Sequence, residues 1–174
     1  MLKWRQRRLE VSLVSTTDYL SELTSKAPDL EEDRQMLQCG TICHRVKKGN
    51  EPEVLLLTSR DTGRWIIPKG YLKRNERPHK CAEREALEEA GVTGKIGKKP
   101  IGSYTYIKHH KRPPHVVSVF LMKFMGEVDH FREKGQRTRR WVSPLEAADL
   151  VVETELQRLF RRAELSNKCT SLRR

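Results

Sequence analysis

Three glutamates between Pro78 and Gly91 have the residue type and spacing to do chemistry. Glu85, Glu88 and Glu89 stand at i, i+3 and i+4, which places them on one face of an α-helix. Carboxylates at these spacings repel one another, so a cation among them would explain the cluster. Hard oxygen ligands favour Mg²⁺, Mn²⁺ or Ca²⁺ over softer metals. The alternative is a solvated, glutamate-rich surface helix.

The residues around this cluster predict where its helix begins and ends. Pro78 suits the first turn, where a missing N–H costs nothing, and Gly91 suits the left-handed position just past the last turn. Ala82, Ala86 and Ala90 line a face beside the carboxylates. These small side chains would let the helix pack closely on a sheet.

The segment from Gly70 to Val92 fits the pattern Gly-x5-Glu-x7-Arg-Glu-U-x-Glu-Glu-x-Gly-U at every fixed position, U being an apolar residue. This pattern is the signature of the Nudix hydrolases, and the chain resembles that family from about Gln38 to about Arg162. Within the family it is most similar to the diphosphoinositol polyphosphate and diadenosine polyphosphate hydrolases, on residues 57–60, 61–70 and 102–106.

This resemblance implies an α/β fold, the Nudix-type α/β/α sandwich with a mixed β-sheet. It implies that the three glutamates bind Mg²⁺ or Mn²⁺, with the carbonyl of Gly70 as a further ligand, and that one of them acts as the base that deprotonates water. Arg84 and Glu76 complete the implied catalytic set in a supporting role. A guanidinium paired with a carboxylate would fix the loop against the helix.

Members of this family often add one more metal-binding carboxylate from a later loop. The candidates here are Glu127, Asp129 and Glu133, and Glu133 is favoured. The alternative for each of them is an ordinary surface acid.

Three cations flank the strand that enters the pattern and are predicted to bind substrate phosphates. Arg60 and Arg64 offer bidentate contacts, whereas Lys69 offers a point charge. Three histidines follow farther along the chain: His109, His110 and His115. They either contact anionic substrate from a loop or lie on the protein surface, and the sequence favours the surface.

The net charge of +12 predicts an anionic partner. Two internal basic clusters, at 108–112 and 137–140, lie near predicted strand ends and either face substrate or belong to the solvated surface. RNA is an alternative partner by charge, but aromatic residues make up only 6% of the chain, and no stacking platform is visible.

The length of 174 residues predicts one domain. We expect an N-terminal extension at 1–36, the catalytic domain at 37–164 and a basic C-terminal tail at 165–174. No run of 18 apolar residues or secretory signal is present, so no contact with a membrane is predicted. No Cys-x-x-Cys pair occurs, which indicates small buried thiols in a reducing cytoplasm: Cys39, Cys43, Cys81 and Cys169.

Apolar patterning predicts alternating strands and helices. Strands are expected at 38–46, 54–58, 65–67, 101–108, 116–125 and 139–142. Besides the helix that carries the glutamates, helices are expected at 144–150, with Ser143 as N-cap, and at 153–163.

The function predicted from these observations is metal-dependent cleavage of a diphosphate linkage in a small, highly phosphorylated anion. A diphosphoinositol polyphosphate or a dinucleoside polyphosphate would be such a substrate. RNA 5′-pyrophosphohydrolase and nucleoside triphosphate pyrophosphatase activities are the enzymatic alternatives. A basic nucleotide- or RNA-binding module with the same fold is the non-enzymatic one, and the intact set of Arg84 and three glutamates argues against it.

Overall fold

The computed structural model describes residues 37–47, 51–107 and 114–171, with side chains as far as residue 162. The predicted histidines at 109 and 110 and the basic cluster at 108–112 lie outside the described residues, as does the N-terminal extension. The described elements, in chain order, are β1 (Leu37–Val46), β2 (Pro52–Thr58), β3 (Trp65–Ile66), β4 (Lys69–Tyr71), α1 (Pro78–Ala90), β5 (Val92–Ile96), β6 (Gly102–Tyr106), β7 (His115–Glu127), β8 (Arg139–Val142), α2 (Pro144–Leu150) and α3 (Thr154–Ser171).

The strands form one mixed sheet with the central order β3-β2-β1-β7-β5. Strands β1 and β7 run parallel, and the other pairs are antiparallel, with β4 beside β1, β6 beside β7 and β8 beside β2. The mixed sheet expected from the sequence is confirmed.

Helices cover both faces of this sheet, as the apolar run of β2 shows. Val54 and Leu56 pack in a cluster with residues of α2 and α3, whereas Leu55 and Leu57 pack in a cluster with Ala86 and Ala90 of α1. Because successive side chains of a strand point to opposite faces, a run that is apolar throughout fits a strand covered on both sides. The α/β/α sandwich is therefore confirmed.

Helix α1 begins and ends where its punctuation predicts. It starts at Pro78, and Gly91 follows its last residue in the left-handed conformation, with φ of 66°. A Cβ on Gly91 would lie 2.4 Å from the ring of Phe131, so the close approach of that ring also requires glycine. The three alanines of the stripe are fully buried, which brings the helix close to the sheet.

Two short strands were absent from the sequence prediction. Lys69–Tyr71 (β4) pairs with β1, where Gln38, Cys39 and Gly40 lie opposite it. Val92–Ile96 (β5) contains Thr, Gly and Lys rather than an apolar alternation, and it is held at the edge of the sheet by the long β7. Tertiary pairing, rather than local propensity, forms both strands.

Of the two C-terminal helices, α2 begins where the sequence predicts, but α3 ends later than predicted. Ser143 caps α2 as expected, because its side chain accepts a hydrogen bond from the backbone N–H of Glu146 at 3.1 Å. The predicted end of α3 at Ala163 is wrong, since the helix continues to Ser171 and enters the segment expected to be a tail.

The cysteines whose side chains the structure describes are buried thiols, as the sequence predicts. Cys39, Cys43 and Cys81 are buried free thiols, and burial raises the pKa of Cys43 to about 12. The side chain of Cys169 lies outside the described part. Within the described ranges, no helix has both the length and the apolar character needed to cross a membrane.

Candidate active site

A cavity of about 550 Å³ lies where α1, β4 and the loop at 128–138 meet. Glu85, Glu88 and Glu89 all line it, together with Lys69 and Gly70 of β4. The structure thus brings the predicted metal-ligand set to one cavity.

Glu85 is buried against the backbone of β4. A Cβ on Gly70 would lie only 2.1 Å from the carboxyl carbon of Glu85, so the carboxylate occupies the space that any other residue at position 70 would fill. Arg84 donates a short hydrogen bond to Glu85 from Nη1. Burial raises the pKa of Glu85, and the contact with Arg84 opposes this shift.

Glu89 is buried and is held through both of its oxygens. Its Oε2 accepts a hydrogen bond from the backbone N–H of Lys69 at 2.9 Å, and its Oε1 accepts one from Arg137. Burial raises the pKa of Glu89 to about 7, against the opposing effects of the Lys69 N–H and the Arg137 charge.

Glu88 is the most exposed carboxylate of the three. Arg132 donates to its Oε2 at 3.1 Å, while Arg84 Nη1 lies 3.6 Å from the same oxygen. The amino group of Lys73 lies 3.9 Å from Oε1. Glu88 thus faces the cavity between three cations.

Arg84 and Glu76 pair as expected from the sequence, and the structure shows that the contact is two-pronged. Arg84 Nε donates to Glu76 Oε1 at 2.8 Å, and Nη2 donates to Oε2 at 3.0 Å. Nη2 also donates to the carbonyl of Tyr71 at 3.1 Å, and Glu76 accepts from the backbone N–H of Lys73 at 3.1 Å. The hydrogen bond from Arg84 holds the pKa of Glu76 below its usual value.

Two of the three predicted phosphate-binding cations line the cavity in the structure, and the third does not. Arg60 and Lys69 line the cavity, and burial lowers the pKa of Lys69. Arg64 is not among the residues that line it. Its guanidinium lies 3.3 Å from the buried carboxylate of Glu153 and 5.7 Å from the ring centre of Tyr106.

Among the three candidates for an additional carboxylate, Glu133 lines the cavity and the other two do not. Glu127 pairs with Arg139 at 3.4 Å. The carboxylate of Glu133 instead accepts a hydrogen bond of 2.6 Å from Nε of Arg137. Glu133, the favoured candidate, is thus the one of the three that lies at the cavity, and its metal-binding role stays a prediction.

Several cavity residues were not singled out by sequence reasoning. The basic run around 137–140 gave a signal for Arg137, but no local pattern marks several of the others, among them Gln38, Tyr71, Lys73 and Gln136. His115, predicted to lie on the surface, is buried and stacks on Tyr106 with ring centres 5.1 Å apart. That prediction is wrong because β7 begins at His115 and carries it into the sheet.

The donor set fits a hard divalent cation in its chemistry. Carboxylate oxygens are the ligands that Mg²⁺ and Mn²⁺ prefer, and the carboxylate of Glu85 lies against the backbone of Gly70. In the described residues, no three His, Cys, Asp or Glu groups already converge on one point. The glutamates are held instead by guanidinium groups, which serve as their counter-cations.

Comparison with known proteins shows which sequences and folds the chain resembles. The family model described as NUDIX domain matches residues 37–163. Nudix hydrolase 21, chloroplastic, from Arabidopsis thaliana is 29% identical over 137 residues, which cover 78% of this chain and 68% of the relative. Diphosphoinositol polyphosphate phosphohydrolase 3-beta from Bos taurus is 34% identical over 101 residues, which cover 58% of this chain and 59% of the relative. The chain thus spans less than two thirds of the second relative's length.

A solved structure gives the same result at the level of the fold. A C. elegans Ap4A hydrolase in a binary complex superimposes with a TM-score of 0.63 and 25% identity, covering 75% of this chain and 96% of that chain. The family predicted from the sequence is confirmed. The chain belongs to the Nudix family, whose hydrolases act on phosphoric anhydrides.

Proposed function

We propose that the protein is a metal-dependent pyrophosphohydrolase that cleaves a diphosphate linkage in a highly phosphorylated small molecule. One observation carries this proposal: three co-facial glutamates line a cavity whose other walls are rich in cations. Carboxylates for a divalent metal and cations for phosphates are the two charge sets that diphosphate hydrolysis needs.

Each group of cavity residues would have its own role in this reaction. Glu85, Glu88 and Glu89 would hold Mg²⁺ or Mn²⁺, with the carbonyl of Gly70 as a further oxygen donor. When bound, the metal would supply charge neutralisation at the phosphoryl oxygens and a water of lowered pKa. Arg84 would keep the loop after β4 fixed against α1 through its two-pronged contact with Glu76.

The cations of the cavity support a substrate that carries several phosphates. Four of these cations line it: Arg60, Lys69, Lys73 and Arg132. Arginine contacts phosphate in a bidentate manner, and lysine adds a point charge. Similarity to diphosphoinositol polyphosphate and Ap4A hydrolases supports the same class of substrate.

A substrate panel at fixed Mg²⁺ tests this proposal. We expect the highest kcat/KM for a diphosphoinositol polyphosphate or a diadenosine polyphosphate, and loss of activity in EDTA. A higher kcat/KM for 5′-triphosphate RNA or a nucleoside triphosphate would favour the alternative substrates. Tight nucleotide binding without turnover would favour the binding module, and a preference for ADP-ribose would contradict the substrate class.

We also propose that the protein works in a reducing compartment such as the cytoplasm. Cys39, Cys43 and Cys81 are buried and form no disulfide with one another. Fractionation of cells that express the full chain tests this location, and recovery in an oxidising compartment would contradict it.

A further inference from the structure

We infer that Arg137 is a positioning residue that fixes Glu89 and Glu133 for metal binding. The inference rests on the proposed function, because it concerns the orientation of the proposed metal-binding carboxylates. The guanidinium lies between the two acids: Nη2 donates to Oε1 of Glu89, and Nε donates to Oε2 of Glu133 at 2.6 Å. Arg137 thus joins the helix that carries the metal-ligand set to the loop at 128–138.

A third contact makes Arg137 the junction of three elements. Its Nη1 donates to the backbone carbonyl of Thr58, at the end of β2, at 3.0 Å. The neighbouring Thr138 exchanges two hydrogen bonds with Thr58, at 2.9 and 3.0 Å, which fix the backbone beside Arg137. The loop is also tied to α1, since the N–H of Glu133 donates to the carbonyl of Glu88 at 3.0 Å.

Burial separates Arg137 from the other arginines that touch the glutamates. Its side chain is 6% exposed, and those of Glu89 and Glu133 are 8% and 13% exposed. Arg84, which contacts Glu85, is 19% exposed, and Arg132, which contacts Glu88, is 72% exposed. A pair with little contact with water holds its geometry better than an exposed pair, which is screened and mobile.

The chemistry of the guanidinium suits this task. Its N–H donors form a rigid planar fork that can direct hydrogen bonds to several acceptors at once. Two buried carboxylates can therefore stay close together without a metal. Each carboxylate oxygen has two acceptor sites, so Oε1 of Glu89 can accept from Arg137 and still offer a lone pair toward the cavity. Lysine would supply the charge but could not reach three acceptors with fixed directions.

The test measures Mn²⁺ binding by calorimetry without substrate, together with kcat and KM. Arg137→Met should weaken Mn²⁺ binding by about 10–100-fold, the usual effect of removing a group that orients a metal ligand. The loss of kcat should exceed the change in KM. Arg137→Lys should recover the binding only in part, because the charge returns without the fork. Arg140→Met is the matched control, since Arg140 forms an exposed pair with Glu146, and it should bind Mn²⁺ like the wild type.

Separate outcomes distinguish this inference from the proposed function. A wild type that binds Mn²⁺ and turns over the panel, with both Arg137 variants equal to it in Mn²⁺ affinity, would overturn the inference alone. A wild type that neither binds Mn²⁺ nor hydrolyses any substrate would overturn both. If Arg137→Met does not fold, the comparison of wild type with Arg137→Lys decides, because lysine keeps the charge. A variant with a lower Tm but normal Mn²⁺ affinity would show a merely structural role and contradict the inference.

Discussion

Each of the three glutamates proposed to bind metal accepts a hydrogen bond from a different guanidinium. Glu85 contacts Arg84, Glu88 contacts Arg132, and Glu89 contacts Arg137. The repulsion expected of three co-facial carboxylates is therefore relieved by fixed positive charges within the protein. Because the cations differ in burial, we expect them to differ in how strongly they constrain their partners.

The contact between Arg84 and Glu76 should contribute stability that depends on pH. The folded-state pKa of Glu76 lies below its ordinary value of 4.5, so the stabilisation is present above that value and is lost as pH falls through the folded-state pKa. Glu76→Gln should lower the free energy of unfolding at pH 7 by about 1–2 kcal/mol, since the pair lies near solvent. Urea unfolding at pH 7 and pH 4 checks this. A difference that stays the same or grows at low pH would contradict it.

Arg64 should act on stability rather than on substrate. Its partner Glu153 is buried, and removing Arg64 leaves that carboxylate without this ion pair. Arg64→Ala should lower the free energy of unfolding by about 1–3 kcal/mol and leave KM nearly unchanged. Arg60→Ala, at a residue that lines the cavity, should instead raise KM. Kinetics and urea unfolding of the two variants test this contrast, which an equal rise in KM would refute.

At the scale of elements, the position of α1 depends on its alanine stripe. Ala86 is fully buried in the cluster that contains Leu55 and Leu57. Ala86→Leu would force extra methyl groups into a packed layer and should cost about 1–3 kcal/mol of unfolding free energy. Leu87→Gln is the control on the same helix, because Leu87 is exposed, and should change stability by less than about 0.5 kcal/mol. Equal stability of the two variants would argue against close packing at this layer.

The sequence predicts elements well where local signals and burial agree. Pro78, Gly91 and the alanine stripe set the limits and the buried face of α1, and the apolar run of β2 reveals a strand covered on both faces. The sequence does not predict β4 and β5, because their pairing partners, rather than their own residues, make them strands. The same reason leaves part of the candidate site unpredicted. Spacing along one helix predicts the glutamates, whereas Arg132 and Gln136 reach the cavity only through the folding of a loop.

At the scale of the whole molecule, the charge of +12 should affect substrate affinity over a distance. Salt shortens that reach, since the Debye length is about 10 Å at 0.1 M ionic strength. KM for a highly phosphorylated substrate should therefore rise as KCl is increased, with a smaller change in kcat. ADP-ribose, which carries less charge, should show a weaker effect and serves as the comparison. A KM that does not depend on salt would contradict a long-range electrostatic contribution.

Turnover of Glu89→Gln at saturating Mg²⁺ tests the central claim most directly. Gln keeps the shape of the side chain but removes the charge of Glu89, the most buried of the three proposed metal ligands. We predict a fall in kcat of more than about 100-fold, with the fold intact by circular dichroism. Glu83→Gln, on the same helix but paired with Lys80 at the surface, should keep the wild-type kcat. A Glu89→Gln variant with wild-type kcat on the preferred substrate would contradict metal-dependent catalysis by the glutamates of α1.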